Sequence, residues 1–193
     1  MKRHIFNASL LTLLLLLLAG CKAENEYSKW ACRFAYSNMI HNDATLASAM
    51  IAESRGVFCK ISESGVYIVF QNNQNLTSQQ PMSEEERRNN YIFGLNNGII
   101  VGYQTFNTMP NGGFVAYDGQ CPNCVRRENN YPNPKFHLSM SSNGIATCPK
   151  CKKTYDMNNG GIIQNGEEGD VGLEKYLAST TGPFGFISVG TKR

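Results

Sequence analysis

The stretch "CPNCVRRENNYPNPKFHLSMSSNGIATCPKC", residues 121 to 151, begins and ends with the same device, Cys-Pro-x-Cys. Cysteines at i and i+3 fall on one side of a tight turn, and the proline fixes part of the backbone between them. Two such turns supply four thiols, the donor set of a tetrahedral structural zinc site. The 23 residues between Cys124 and Cys148 come close to the roughly 15 to 20 common in such sites. Cys121, Cys124, Cys148 and Cys151 are therefore the expected metal ligands. Two other fates for these sulfurs stay open: disulfides within or between the pairs, which suit an oxidising compartment, and a redox-active dithiol, whose usual βαβ setting is missing here.

The compartment is legible at the other end of the chain. "MKRHIFNASLLTLLLLLLAGC" carries Lys2 and Arg3, an apolar run from Leu10 to Leu18 broken by Thr12, and small residues before Cys21. This is the pattern of a signal peptide over residues 1–20. The run is shorter than the about 20 apolar residues a spanning helix needs. "LAGC" resembles the lipobox of bacterial lipoproteins, so Cys21 is the expected lipidation site. Residues 21–30 then form a polar tether to a membrane, and the chain belongs at the extracytoplasmic side of a cell envelope.

Removing the first twenty residues takes Lys2 and Arg3 away and lowers the formal net charge from +3 to +1. No bulk field then favours nucleic acid. Residues 31–193 are long enough to bury a core and suit one domain. Their pattern is mostly β. "GVFCKI", "GVYIVF", "NYIFG", "GIIVGY", "GFVAYD", "KFHLSM", "GGIIQN" and "FGFISVG" are short runs of aromatic and β-branched residues between glycine and asparagine clusters. The fold expected is an all-β antiparallel sandwich or barrel, with a small metal-knuckle subdomain at about 118–160. Asn97-Gly98 is the best hairpin turn. One short helix is predicted in "HNDATLASAMIAESRG", capped by Asn42 or Asp43 and stopped by Gly56. Ser83 and Glu86 match a capping box, in a charged stretch that suits a loop or a single turn.

The seven cysteines are odd in number, and assigning Cys21 to lipid leaves six. Beyond the two pairs stand Cys32 and Cys59, beside the candidate strands "CRFAY" and "VFCKI". They form either a disulfide or two small buried apolar side chains.

"FVAYDGQCPNC", then "GIATCPKCKKTYDMNNGGII", then "GLEKY" together resemble the Rieske family of [2Fe-2S] ferredoxin domains. That family's cluster loops read Cys-x-His and Cys-Pro-x-His. On the resemblance, Cys121 and Cys148 stand at the family cysteines, and Tyr155, Asp156, Gly160 and Tyr176 at its aromatic, acidic, glycine and tyrosine positions. "GLNNGIIVGYQTF" and "GGFVAYD" are similar to the strand pair before the first loop. The match runs over about residues 90 to 178 and implies a Rieske-like fold and, in its ordinary form, electron transfer. The departures lie at the ligands. Asn123 replaces the first histidine, with Cys124 following it, and Cys151 replaces the second. His41 and His137 are the histidines left after the leader, and neither lies in a loop motif, so a two-histidine cluster is not expected.

Four cysteines can still hold an all-thiolate [2Fe-2S] cluster or one iron. Zinc is favoured by its place above Fe²⁺ in the affinity order and by the grip of i, i+3 thiols on one ion. The leader also lacks a twin arginine, which points to export as an unfolded chain without a preassembled cluster. Four sulfurs leave no open position, so the ion is expected to be structural. Arg126, Arg127, Lys150, Lys152 and Lys153 are expected to offset the thiolate charge or to meet an acidic partner or anionic lipid. His137 is expected to be hydrogen-bonded, and Trp30 to anchor the tether to the domain. No nucleophile motif, carboxylate pair or phosphate-binding loop points to an enzyme. The function expected is an envelope lipoprotein that binds or scaffolds an unidentified protein partner. The alternative is an electron carrier with iron or a [2Fe-2S] centre.

Overall fold

A computed structural model describes residues 27–106, 113–129 and 132–192. The signal peptide, Cys21 and the first part of the tether lie outside the described residues. Among the described residues, twelve strands form two sheets. The larger is wholly antiparallel and curls into a half-barrel in the order β1-β12-β11-β6-β5-β2-β3-β4. Its strands are β1 (Arg33–Ser37), β2 (Phe58–Ser64), β3 (Tyr67–Asn72), β4 (Thr77–Pro81), β5 (Ile99–Tyr103), β6 (Phe114–Asp118), β11 (Lys175–Thr180) and β12 (Phe186–Gly190). The smaller sheet runs β10-β9-β8-β7, from β7 (Ser139–Met140), β8 (Ile145–Thr147), β9 (Thr154–Asp156) and β10 (Ile162–Ile163).

Alternation along the central strands creates two cores. Cys59 and Ile61 on β2, Ile99 and Val101 on β5, and Ala116 on β6 face the inside of the half-barrel with Phe34, Ile68 and Phe70. Phe58, Ile100 and Tyr117, the intervening residues of the same strands, face outward into a second core beneath the small sheet. The small sheet is thus packed on the barrel through a shared sheet whose two faces are both apolar.

The predicted helix is shorter than expected. It forms as α2 (Ala44–Ala49), and a separate, unpredicted turn, α1 (Asn38–His41), precedes it, with Asn42 between them in the left-handed region at φ 49°. Asp43 caps α2, accepting from the Leu46 N–H at 2.9 Å. The chain leaves the helix at Met50, before Gly56, and Leu46, Ala49 and Met50 pack into the barrel interior. The Asp43 carboxylate also accepts from Ser78 and Gln80, tying α2 to the edge strand β4. Ser83 and Glu86 do form a capping box, on the single turn α3 (Glu84–Arg88).

"NYIFG" is not a strand. Ile92 makes one bridge to Arg33, exchanging both backbone bonds, while Tyr91 donates its hydroxyl to Ala35 O at 2.8 Å. The segment from Met82 to Phe93 thereby crosses between the edge strands β4 and β1, and Phe93 joins the barrel core. Asn97 turns the chain with φ 51°, but into β5 from a loop, so Asn97-Gly98 is not a hairpin.

Cys32 and Cys59 are free thiols, both buried in the barrel core. Of the two fates left open for them, the structure shows small apolar side chains. Burial pushes the Cys32 thiol up to about 12 and raises Cys59 likewise, so neither ionises at neutral pH.

Candidate metal centre

β6 delivers the first pair of sulfurs. After Asp118 the chain passes Gly119, whose N–H bonds to Gly98 O and where a Cβ would lie 2.8 Å from that same oxygen, so only glycine fits. Cys121 follows as the N-cap of α4 (Pro122–Glu128), with Pro122 in the first helical position. Asn129 closes this helix in the left-handed region. The first turn of α4 puts Cys124 on the same face as Cys121, and the Cys124 N–H points at the Cys121 sulfur.

The second pair sits on the tight loop between β8 and β9. Cys148 N–H bonds to Lys153 O and Lys152 N–H to Cys148 O, with Lys152 in the left-handed region at φ 62°. The backbone N–H groups of Lys150 and Cys151 are both aimed at the Cys148 sulfur. Each turn therefore directs backbone donors at its leading sulfur.

All four Sγ atoms lie within 4.8 Å of one another. Cys121 and Cys151 are 3.6 Å apart, and Cys124 and Cys148 are 3.7 Å apart. Sulfurs at about 2.3 Å from one tetrahedral ion would be separated by about 3.8 Å. The arrangement can hold a single ion, and no pair is at covalent bond length. It has no room for a [2Fe-2S] cluster, whose two irons and two bridging sulfides would force the thiolate pairs apart. Cys121, Cys124 and Cys148 are buried, and Cys151 is the ligand nearest solvent.

Cys121, Cys124 and Cys148 influence one another's ionisation. Hydrogen bonding from Cys121, helped by the Lys150 and Cys151 N–H groups, pulls the Cys148 thiol down to about 5. Burial, followed by the neighbouring thiols, pushes Cys124 up to about 12, and the bond to Cys148 raises Cys121. One sulfur ionises readily, and its charge opposes ionisation of its neighbours. A dication would remove that opposition.

A polar layer outside the sulfurs fixes their loops. Tyr155 on β9 places its hydroxyl 3.1 Å from Cys121 Sγ and accepts from Asn123 Nδ2 at 2.9 Å. Asn123 also brackets Val171, donating to its carbonyl at 2.9 Å and accepting from its N–H at 3.0 Å. The segment from Gln164 to Glu174 thus straps both turns. Asp170 anchors the strap, with Oδ2 2.6 Å from Lys153 Nζ beside the second turn and Oδ1 2.8 Å from Arg127 Nη2 on α4. Hydrogen bonding between them lowers Asp170 and raises Lys153, so both stay charged.

Four of the five basic residues near the sulfurs, all but Lys152, make ion pairs with nearby acids among the described residues. Arg126 pairs with Glu174, Arg127 and Lys153 with Asp170, and Lys150 with Glu128. They position the loops, and their charge is largely matched by these acids. Sequence reasoning missed Asn123, Tyr155 and Asp170 as supporting residues. Asn123 and Tyr155 stand at positions the Rieske resemblance singles out, whereas nothing in the sequence marks Asp170, 17 residues beyond Lys153. His137 stands apart from the sulfurs, half-buried, with Nε2 2.8 Å from Asn96 O. Trp30 packs against the second core.

No family model, curated protein or solved structure matches the chain.

Proposed function

We propose that this chain is an envelope-anchored lipoprotein with a Rieske-like β domain, in which Cys121, Cys124, Cys148 and Cys151 hold one structural zinc ion. Its role is non-enzymatic, binding or scaffolding another envelope component. The observation that carries the metal is the convergence of four sulfurs within 4.8 Å. Zinc is favoured over iron by the affinity order at a given site. The complete set of four sulfur donors leaves no position for substrate, which suits a structural ion. The Rieske-like reading draws support from two cysteine turns, one following β6 of the half-barrel and one on the small sheet, in the order that the resemblance implies. Lipidation rests on the "LAGC" ending of the leader.

The test is elemental analysis of the purified mature protein. One equivalent of zinc in a colourless protein supports the reading, and stoichiometric iron that bleaches reversibly on reduction overturns it. That second outcome belongs to the electron carrier, which one feature favours: Cys151 is partly exposed and offers a short path from an ion to the surface. The centre in that case is a single iron, because the spacing is too tight for a [2Fe-2S] cluster.

A further inference from the structure

An open cleft of about 850 Å³ lies on the flank of α4 away from the sulfurs. Its walls come from the strap, from β10 and from Tyr27, Lys29 and Trp30 among the first described residues. Lys29 and Lys175 line it and carry no ion pair among the described residues. Lys192 joins them at the rim, its Nζ 5.5 Å from the centre of the Tyr27 ring. The one acid in the lining, Glu174, is held by Arg126 at 3.2 Å. Unmatched positive charge therefore collects here. Tyr27, Trp30 and the half-exposed Ile162 stand in the same lining.

The chain that precedes the structure selects the occupant. Cys21 lies six residues before Tyr27, a reach of about 20 Å at full extension. A lipid on Cys21 would hold this end of the molecule within that distance of a bilayer. Unpaired lysines beside a tyrosine and a tryptophan are the groups that settle at a charged membrane interface. The exposed Met39, Ile40 and Phe184 lie beyond the opposite end of β1, so the apolar tip points away from the anchor.

We infer that the rim of this cleft, centred on Lys29, Lys175 and Lys192, is a docking surface for anionic lipid headgroups, which sets the domain's orientation on the membrane. The inference rests on the lipoprotein reading for its geometry, but it can fail separately. The chain from residue 21 with Cys21→Ser contains every described contact and no acyl chain. It is expected to sediment with phosphatidylcholine vesicles containing about one third phosphatidylglycerol, to ignore phosphatidylcholine alone, and to be released by about 1 M salt. Lys29→Glu/Lys175→Glu/Lys192→Glu should cut partitioning on the order of 100-fold. Arg87→Glu/Arg88→Glu, on α3, should change it less than about twofold by the same electrostatic logic.

Equal sedimentation with both vesicle types would overturn the inference. So would a triple variant that keeps wild-type circular dichroism and metal content yet binds unchanged. Release by millimolar inorganic phosphate at constant ionic strength would also overturn it, identifying a site for free phosphate in place of a membrane surface. Mass spectrometry of the chain extracted from envelopes reads acylation of Cys21 independently. A missing acyl chain counts against the anchor, and a missing preference for anionic vesicles counts against this surface.

Discussion

Asn123 lies between the two sulfurs of the first turn, at the position where the Rieske resemblance would place a histidine. Its amide spans from the Tyr155 hydroxyl to the Val171 backbone and makes no approach to the metal set. Asn123 acts as a brace, and Cys124 one position later stands among the four clustered sulfurs that could hold one ion. Supporting groups of this kind typically govern metal affinity by about 10- to 100-fold. Asn123→Ala is therefore expected to weaken zinc about tenfold in competition with a chromophoric chelator; unchanged affinity would show that the brace is idle. Cys148→Ser removes a ligand and leaves three thiols clustered without a closed set. It should abolish stoichiometric metal and lower the melting temperature by about 10 °C, the shift that about 3 kcal/mol produces in a domain this size. Wild-type melting in that variant would show the site to be dispensable. Asp118, fully buried at the end of β6 beside β11, titrates differently. Burial pushes its carboxyl up to about 6 despite bonds from the Tyr176 hydroxyl at 2.6 Å and from the Leu95 and Gln120 N–H groups. A folded pKa above the unfolded value of about 3.8 means that the native state holds this proton more tightly. Its contribution to stability is full below pH 4 and is lost as pH rises through 6, a difference of about 3 kcal/mol. The carboxyl carbon resonance of Asp118 should titrate with a midpoint near 6, and a midpoint near 4 would refute this account.

At the level of elements, legibility in the sequence followed apolar content. β2, β3, β5, β6 and β12 carry aromatic and β-branched residues, and they fall within runs that composition marks as strands. β4, Thr-Ser-Gln-Gln-Pro, and β11, Lys-Tyr-Leu-Ala-Ser-Thr, do not stand out, because one is largely exposed and the other alternates polar residues with a few buried ones. "NYIFG" has strand composition, yet its tyrosine and phenylalanine serve to cover the barrel edge. The first cysteine turn was legible as a pair of donors but not as a helix start. Proline after a cysteine suits a knuckle and a first helical position equally, and the sequence offers no apolar stripe to decide between them. The strap was illegible for a different reason: its role lies in Asp170 meeting Arg127 and Lys153 across the fold, which no local pattern encodes. Asp170→Ala is expected to free the strap and raise amide exchange from Gln164 to Glu174, while leaving β3 as protected as before. Loss of protection throughout the chain would mean that the strap supports the whole fold and not the metal turns alone.

The whole molecule is organised around one sheet with two apolar faces, and on the proposed zinc reading the ion would hold in place the layer that covers one of them. Phe58, Ile100 and Tyr117 are buried only because the small sheet and α4 lie over them, with Cys121, Cys124 and Cys148 inside that second core. The barrel interior, with Phe34, Ile61, Ile68 and Phe70, closes through α2 and the segment before β5, none of which supplies a sulfur. The two cores should therefore differ in their dependence on the ion. Structural zinc contributes on the order of 10 kcal/mol to small thiolate sites at neutral pH, more than a small sheet of two- and three-residue strands can replace by packing. Stripping the metal with a strong chelator is expected to release α4 and β7 to β10. That should expose the outer sheet face to a hydrophobic dye and accelerate exchange at Ala146 and Tyr155 by orders of magnitude more than at Ile68 and Phe70. Readdition of zinc should reverse both signals. Simultaneous loss of protection in both cores would show that β2, β5 and β6 couple them into one cooperative unit; no dye binding at all would show that the thiol cluster packs well enough without an ion.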